Sequence, residues 1–419
     1  MALPATLLSI TNDWSALGHK GHTPLPDSVL MTHGHEDVEA GVAALYEAAR
    51  KNEKSAPRKH HLVPASYLAR WATNDRIRMT FTADKKSVLT APAKAARETD
   101  FYSLAGDGID PDDVPPLLLE TVLSHVEGEG KSLIDVLLRE GPRGLGAEDA
   151  VHMATYLGFQ MTRGRSFRLQ AASLTNQALL LTVDGLTDEG IERRFQAQGR
   201  EATPAAMAET RQALDAWKTG DFKAQPERAE LAGLSAKFAV DLGLWFLGRS
   251  WRIYRSGRSL ITSDDPVVPI PGPWQDRRRQ PGFSTAGAIV FPLDPHHLLA
   301  MFHPYLKLDS LGLRPKLTAA EVDEINLALA AASDRWLFEE PTGRSTPSFD
   351  LPPWPTDRTT LTEVAEDLFD HHRPTRWHGT PKPPPPPVSR WWRNARGPGL
   401  HLRPFTLDAL PHAMYDEFG

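Results

Sequence analysis

The chain predicts an α+β fold, with a mainly helical N-terminal part packed against a small antiparallel sheet and a Pro-rich C-terminal arm beyond. Three observations predict it. Up to Leu247, apolar residues recur at helical spacing in successive runs. After Gly248 the pattern changes to short runs rich in β-branched and aromatic residues, punctuated by Gly257 and Pro295. Residues 371–407 hold seven Lys/Arg, no Asp/Glu and the run Pro383–Pro387, which favours an extended polyproline II segment.

In chain order, residues 1–30 show no period and are read as a poorly ordered segment, dispensable for the core. Asp37 to Lys51 reads as an amphipathic helix, because Val38, Val42, Leu45 and Ala49 fall on one face. Asp113 before Pro115 and Pro116 marks a helix start. Leu118, Leu119, Val122, Val126, Leu133 and Leu137 continue its apolar face, with Gly128 and Gly130 weakening its middle. Ala147 to Leu181 is a long helical stretch that Gly158 and Gly164 can bend. Pro204–Lys218 and Arg228–Leu247 are further helices. Strands are predicted at 251–254, 260–262, 288–291 and 298–302. Thr318 and Glu321 form a capping box that opens a helix to Ala332, and a last strand is expected at 336–338. The organisation expected is a single mixed core over 31–345 (helical 37–247, sheet 251–302, helix 318–332) and an arm over 346–419.

The 419 residues suffice for a large buried core, and 41% hydrophobic with 24% charged residues is ordinary for a globular protein. There is no cysteine, so disulfides, thiolate nucleophiles and Cys-ligated metals are excluded. No leader pattern and no apolar run of ~18 residues is present, so a cytoplasmic, non-membrane location is expected. The arm is basic, and the remainder is therefore more acidic than the net −6 of the whole. Trp391 and Trp392 are costly to leave exposed, so the segment after Ser389 is expected to be anchored, on the core or on a twin subunit as a homo-oligomer. The stretch 373–388 is expected to be a mobile spacer. Binding of nucleic acid by the Trp-bearing arm is the competing reading.

The most informative stretch is residues 59–71. His60 and His61 precede Val63 and Pro64, and Tyr67, Leu68 and Trp71 follow at helical spacing. Adjacent side chains share neither a helix face nor a strand face, so both histidines could meet one ligand only at an irregular turn or element start. The pattern His60, His61, Val63, Pro64, Tyr67, Leu68 resembles the opening motif of domain-of-unknown-function family 4238. Glu120 and Glu127, Gln160 with Arg163, residues 260–267, residues 291–295 and Asn326 follow in the order that family shows. The resemblance covers about residues 40–340 and implies a fold and a site region without an established activity. Where the family has Ser-Asp-Asn-Pro, this chain has Ser263-Asp264-Asp265-Pro266.

His60, His61, Asp264 and Asp265 are the candidate catalytic set, expected to line one polar cleft. Imidazole and carboxylate together suit zinc, manganese or magnesium, with His60, His61 and Asp264 as ligands. The alternative is structural: Asp264 caps a turn through backbone N–H groups, and one histidine hydrogen-bonds its carboxylate as a buried strut. Arg163, Gln160 and Glu127 are the candidate substrate-binding residues, since a guanidinium in a polar cleft holds phosphate or carboxylate. A Glu127–Arg163 pair between packed helices is the structural reading of the same residues. Thr32–Asp37 is similar to the metal signature of the metallo-β-lactamase fold, but Val38 stands where a histidine is needed and the upstream chain is too short for the leading sheet. No phosphate loop, Gly-x-Ser-x-Gly elbow or His-Glu-x-x-His helix is present. The function expected is a hydrolase, a metal-assisted phosphodiesterase or nuclease acting on nucleic acid or another phosphate-containing substrate. The competing function is a non-catalytic binding or interaction protein whose polar cluster is structural.

Overall fold

A computed structural model describes residues 35–52, 59–104, 110–184, 187–197, 199–219, 227–304, 306–355 and 374–395. The expectation for residues 1–30 lies outside the described residues. The first helix, α1, is His35–Asn52, so His35 and Asp37 stand on a helix and not on a strand-end loop. Then come β1 Lys59–His61, the short α2 Ala65–Leu68, β2 Ile77–Phe81, β3 Ser87–Thr90 and β4 Arg97–Thr99. The helical part follows as α3 Leu118–Glu140, α4 Ala147–Thr162, α5 Arg165–Asp184, α6 Asp188–Ala197, α7 Pro204–Lys218 and α8 Arg228–Leu247. The C-terminal half holds β5 Ser250–Ser256, β6 Thr262–Ser263, β7 Val268–Ile270, β8 Ala288–Asp294, β9 His297–Phe302, β10 Lys316–Leu317, α9 Ala319–Ala332 and β11 Trp336–Glu339. The fold is α+β.

The small sheet expected over 251–302 is present, and two further small sheets accompany it among the described residues. A five-stranded sheet has the order β10-β5-β9-β8-β7, antiparallel except for the parallel β10–β5 pair. A four-stranded antiparallel sheet has the order β3-β2-β11-β6, and β1 and β4 form a two-stranded sheet. The stretch 37–247 is therefore not purely helical. Strands β1 and β4 have three residues each and carry Lys-His-His and Arg-Glu-Thr, too short and too polar to show a period of two.

Two residues of the 59–71 motif tie these layers together. Tyr67 donates its hydroxyl hydrogen to the Pro292 carbonyl at 2.8 Å and accepts from Thr262 at 2.8 Å. Trp71 Nε1 donates to the Leu260 carbonyl at 2.8 Å. Asn326 on α9 accepts from the Ile261 N–H at 3.0 Å and donates to the Ser259 carbonyl at 3.1 Å. These motif positions hold β6 and its approach against α2 and α9. The capping box of α9 forms as expected, with Thr318 N–H on Glu321 Oε2 at 2.8 Å.

Helix α4 packs against both α3 and α8. The long stretch from Ala147 does break near Gly164, where α4 ends and α5 begins. Gly158 has a different role. A Cβ there would lie 1.9 Å from the Ala239 carbonyl oxygen of α8, so the two backbones touch at this point. Gly130 on α3 likewise admits the Tyr156 ring, which a Cβ would meet at 2.2 Å. Backbone cannot yield as a flexible side chain can. Gly158→Ala is therefore expected to destabilise by about 2–3 kcal/mol through overpacking. A chemical melt superimposable on wild type would refute that contact.

Residues 374–395 of the arm are seated on the core, and they include most of the stretch expected to be a free spacer. Polyproline backbone has no internal hydrogen bonds, so its carbonyls need outside donors. Arg278 supplies Thr380 and Pro381 at 2.9 and 2.6 Å, and Arg277 supplies Pro385. Arg376, Trp377, Val388, Arg390, Trp391 and Trp392 are buried. Arg390 pairs with Glu321 at 2.6 Å and donates to the carbonyls of Leu311, Arg314 and Lys316.

Candidate functional site

The strand geometry of β1 sends the two histidines in different directions. His60 is buried. Its Nδ1 accepts from the Tyr102 N–H at 2.8 Å, and its ring stacks on Tyr102 with centroids 5.6 Å apart. An accepting Nδ1 fixes the neutral tautomer, and burial lowers the His60 pKa further against the pull of Asp100. His60 is thus a buried strut, but on Tyr102 and not on the Asp264 carboxylate as the structural alternative had it. His61 is half-buried, and its Nε2 lies 3.2 Å from the Ala93 carbonyl. A carbonyl can only accept, so Nε2 carries the proton and Nδ1 is the basic nitrogen. Burial lowers the His61 pKa, keeping that nitrogen unprotonated at neutral pH.

Asp264 ends β6 as a cap. Its oxygens accept from the backbone N–H groups of Asp334, Arg335 and Trp336 at 3.0, 2.7 and 3.3 Å. Those three groups open β11, and neither histidine is among the Asp264 partners. Burial, with Asp265 and Asp334 close by, pushes its pKa well up against the N–H groups that oppose the shift. Asp265 accepts from Ser166 Oγ at 2.5 Å, at the start of α5. The histidine and aspartate pairs thus meet the two sides of the α4–α5 corner. Arg163 reaches the His61 carbonyl at 2.6 Å, and Ser166 reaches Asp265. Glu98, opposite His60 on β4, joins the same region by pairing with Arg165 at 2.9 Å and Arg335 at 2.6 Å. Among the described residues, no three His, Asp or Glu side chains group so as to hold a metal ion.

The polar centre lies between α3 and α4. Arg163 is 2% exposed, and its Nη1 lies 2.7 Å from Glu127 Oε1. The approach is off the N–H direction, so the contact is an ion pair more than a directed bond. Tyr102 donates to the Arg163 carbonyl at 2.9 Å, and Arg163 Nε faces the Tyr102 hydroxyl at 3.3 Å. Burial would lower the Arg163 pKa, but Tyr102 and Glu127 outweigh it and push it up. Burial pushes the Tyr102 hydroxyl up to about 12. Glu120, two turns before Glu127 on α3, is pushed up to about 7, chiefly by burial and also by Glu127, against the downward pull of Arg163 and Arg97. Arg97 is half-buried and makes one long contact, to the Lys59 carbonyl at 3.4 Å. Gln160, one turn before Arg163, is 1% exposed, and neither amide atom has a hydrogen-bond partner among the described residues.

The structure therefore brings Glu127, Arg163 and the His61 backbone together and adds Glu120, Arg97 and Tyr102, which were not among the candidate site residues. Glu120 carried a usable signal, since a seven-residue spacing places it on the same side of α3 as Glu127. Arg97 and Tyr102 carried none, because their placement depends on the β1–β4 pairing.

No curated protein and no solved structure matches this chain. Residues 59–343, about two thirds of the chain, match the family described as "Protein of unknown function (DUF4238)". That span holds the β1 histidines, the α3–α4 polar centre and the Asp264 cap, and the chain belongs to this family.

Proposed function

We propose that the chain is a hydrolase of phosphate esters working by general acid–base chemistry at the α3–α4 centre. The observation that carries the reading is Glu120, a carboxyl with a pKa of about 7 beside two guanidinium groups. Such a group is protonated often enough near neutrality to act as an acid and ionised often enough to be restored. In this reading His61 Nδ1 takes a proton from the attacking water, and Glu120 gives its proton to the departing oxygen as the P–O bond breaks. Arg97 stabilises the charge on the phosphoryl oxygens. The competing, non-catalytic reading draws support from Asp264, Asn326 and Tyr67, which act as struts.

The test is hydrolysis of bis(p-nitrophenyl) phosphate and short oligonucleotides between pH 5 and 9, with and without EDTA. Wild type is expected to be active in EDTA, and Glu120→Gln to lower kcat by about 10²–10⁴-fold. Unchanged kcat in Glu120→Gln would refute the reading. Activity that EDTA abolishes and manganese restores would return the site to the metal-assisted scheme.

Stability gives a separate check. The folded state holds the Glu120 proton more tightly than the usual carboxyl value of 4.5. Its penalty is absent below about pH 4.5, grows as the pH rises, and levels off above about pH 7. Glu120→Gln removes that penalty, so at pH 8 it should be more stable than wild type by roughly 3 kcal/mol, and equal to it near pH 4. Melts of both proteins across this range read the difference. A constant gap at all pH values would contradict the raised pKa.

A further inference from the structure

We propose that Gln160 reads a hydrogen-bonding edge of the substrate, and that the substrate is a phosphate ester bearing a nucleobase. The phosphate half rests on the acid–base reading above. The base half rests on Gln160 itself. Its side chain is 1% exposed, yet neither Oε1 nor Nε2 has a partner among the described residues. Burying an amide without partners is costly, and native folds rarely do so. This fold satisfies the comparable amide. Asn326, buried on α9, both accepts from Ile261 and donates to Ser259.

The position of Gln160 on α4 places it between two contacts with α3. Tyr156, one turn before it, packs on Gly130, and Arg163, one turn after it, pairs with Glu127. These three residues fall on one side of the helix. The amide therefore faces the centre that contains Glu127. Glu120, Glu127, Arg97 and His61, the groups of that centre, are half-buried.

An amide offers a donor and an acceptor side by side. A phosphate group only accepts, so it would leave Oε1 unsatisfied. A nucleobase edge offers the complementary pair, as adenine does through N6 and N7 to a glutamine side chain. Such an edge pairs both atoms at once, while Arg97 is left for the phosphate.

The experiment compares binding of adenosine and cytidine 5′-monophosphates with binding of ribose 5-phosphate and inorganic phosphate, by thermal shift and calorimetry. Wild type is expected to bind at least one nucleotide about 10–100-fold more tightly than ribose 5-phosphate. Gln160→Leu should erase that preference and keep the affinity for ribose 5-phosphate. Gln160→Met serves as a second variant, and both should be at least as stable as wild type because an unpartnered amide is removed. Glu120→Gln should keep the preference, so failure of the acid–base reading would leave this result standing. Equal wild-type affinity for nucleotides and ribose 5-phosphate would overturn the proposal. So would a preference that survives in Gln160→Leu.

Discussion

Replacing Arg163 with Ala is expected to lower stability by about 3–5 kcal/mol, the cost of breaking a buried ion pair by removing one partner. Four separate losses combine. Glu127 is left half-buried without its cation, which stood 2.7 Å away. The His61 carbonyl loses a 2.6 Å donor, and Tyr102 loses the guanidinium facing its hydroxyl at 3.3 Å. The side chain itself fills a space that is 2% exposed, so a cavity remains. Glu127→Gln in the same background should recover part of the loss, because it removes the stranded charge and keeps the volume. Chemical denaturation of the single and double variants measures this. A single variant that melts with wild type would show that the pair contributes as little as an exposed one, about 0–1 kcal/mol.

The same substitution reaches the proposed chemistry. Arg163 is the larger of the two cationic influences that pull the Glu120 pKa down. Without it, the carboxyl should titrate at a higher pH. Any activity left in Arg163→Ala is then expected to show a pH profile displaced upward relative to wild type.

The parts of this structure that were legible in the sequence are those governed by local pattern. Tyr67 and Trp71 at helical spacing announced a packed face, and Thr318 with Glu321 announced the start of α9. Trp391 and Trp392 announced an anchored segment, since two adjacent indoles bury too much apolar surface to remain in water. The centre between α3 and α4 was only half legible. Glu127 and Arg163 could be paired because each is a charge at the edge of an apolar helix face. What raises the Glu120 pKa is burial, which exists only once α4 has closed over α3. Asp264 shows the opposite limit. A carboxylate at a strand end before proline is compatible with metal ligation and with capping. The choice depends on three N–H groups about seventy residues later in the chain. Arg97 and Glu98 lie on a three-residue strand whose only partner among the described residues is β1, and no periodicity marks it.

The seated arm leads to the second large effect. Trp391→Ala is expected to destabilise by about 3–5 kcal/mol, the usual range for truncating a buried Trp or Phe. The indole is 1% exposed and lies within a ring cluster. Its centroid is 5.0 Å from that of Phe302 on β9 and 5.2 Å from that of Tyr254 on β5. Leu306, Leu317 and Val322 belong to the same buried cluster, so truncation opens a cavity against the face of the five-stranded sheet. Arg390 would still be tethered to Glu321, which keeps the neighbouring backbone from collapsing into that space. Trp392 is 8% exposed and hydrogen-bonds the Pro387 carbonyl at 2.7 Å, so Trp392→Ala should cost less. The two variants also separate packing from strap release. In wild type, Arg376 is buried, with its guanidinium on the Ser333 and Pro352 carbonyls, and should resist trypsin. If Trp391 anchors the whole segment, Trp391→Ala should be cut at Arg376 well before the core is cut. Should the variant lose stability while Arg376 stays protected, residues 374–387 are held independently by Arg277 and Arg278, and the anchor is confined to the last turn.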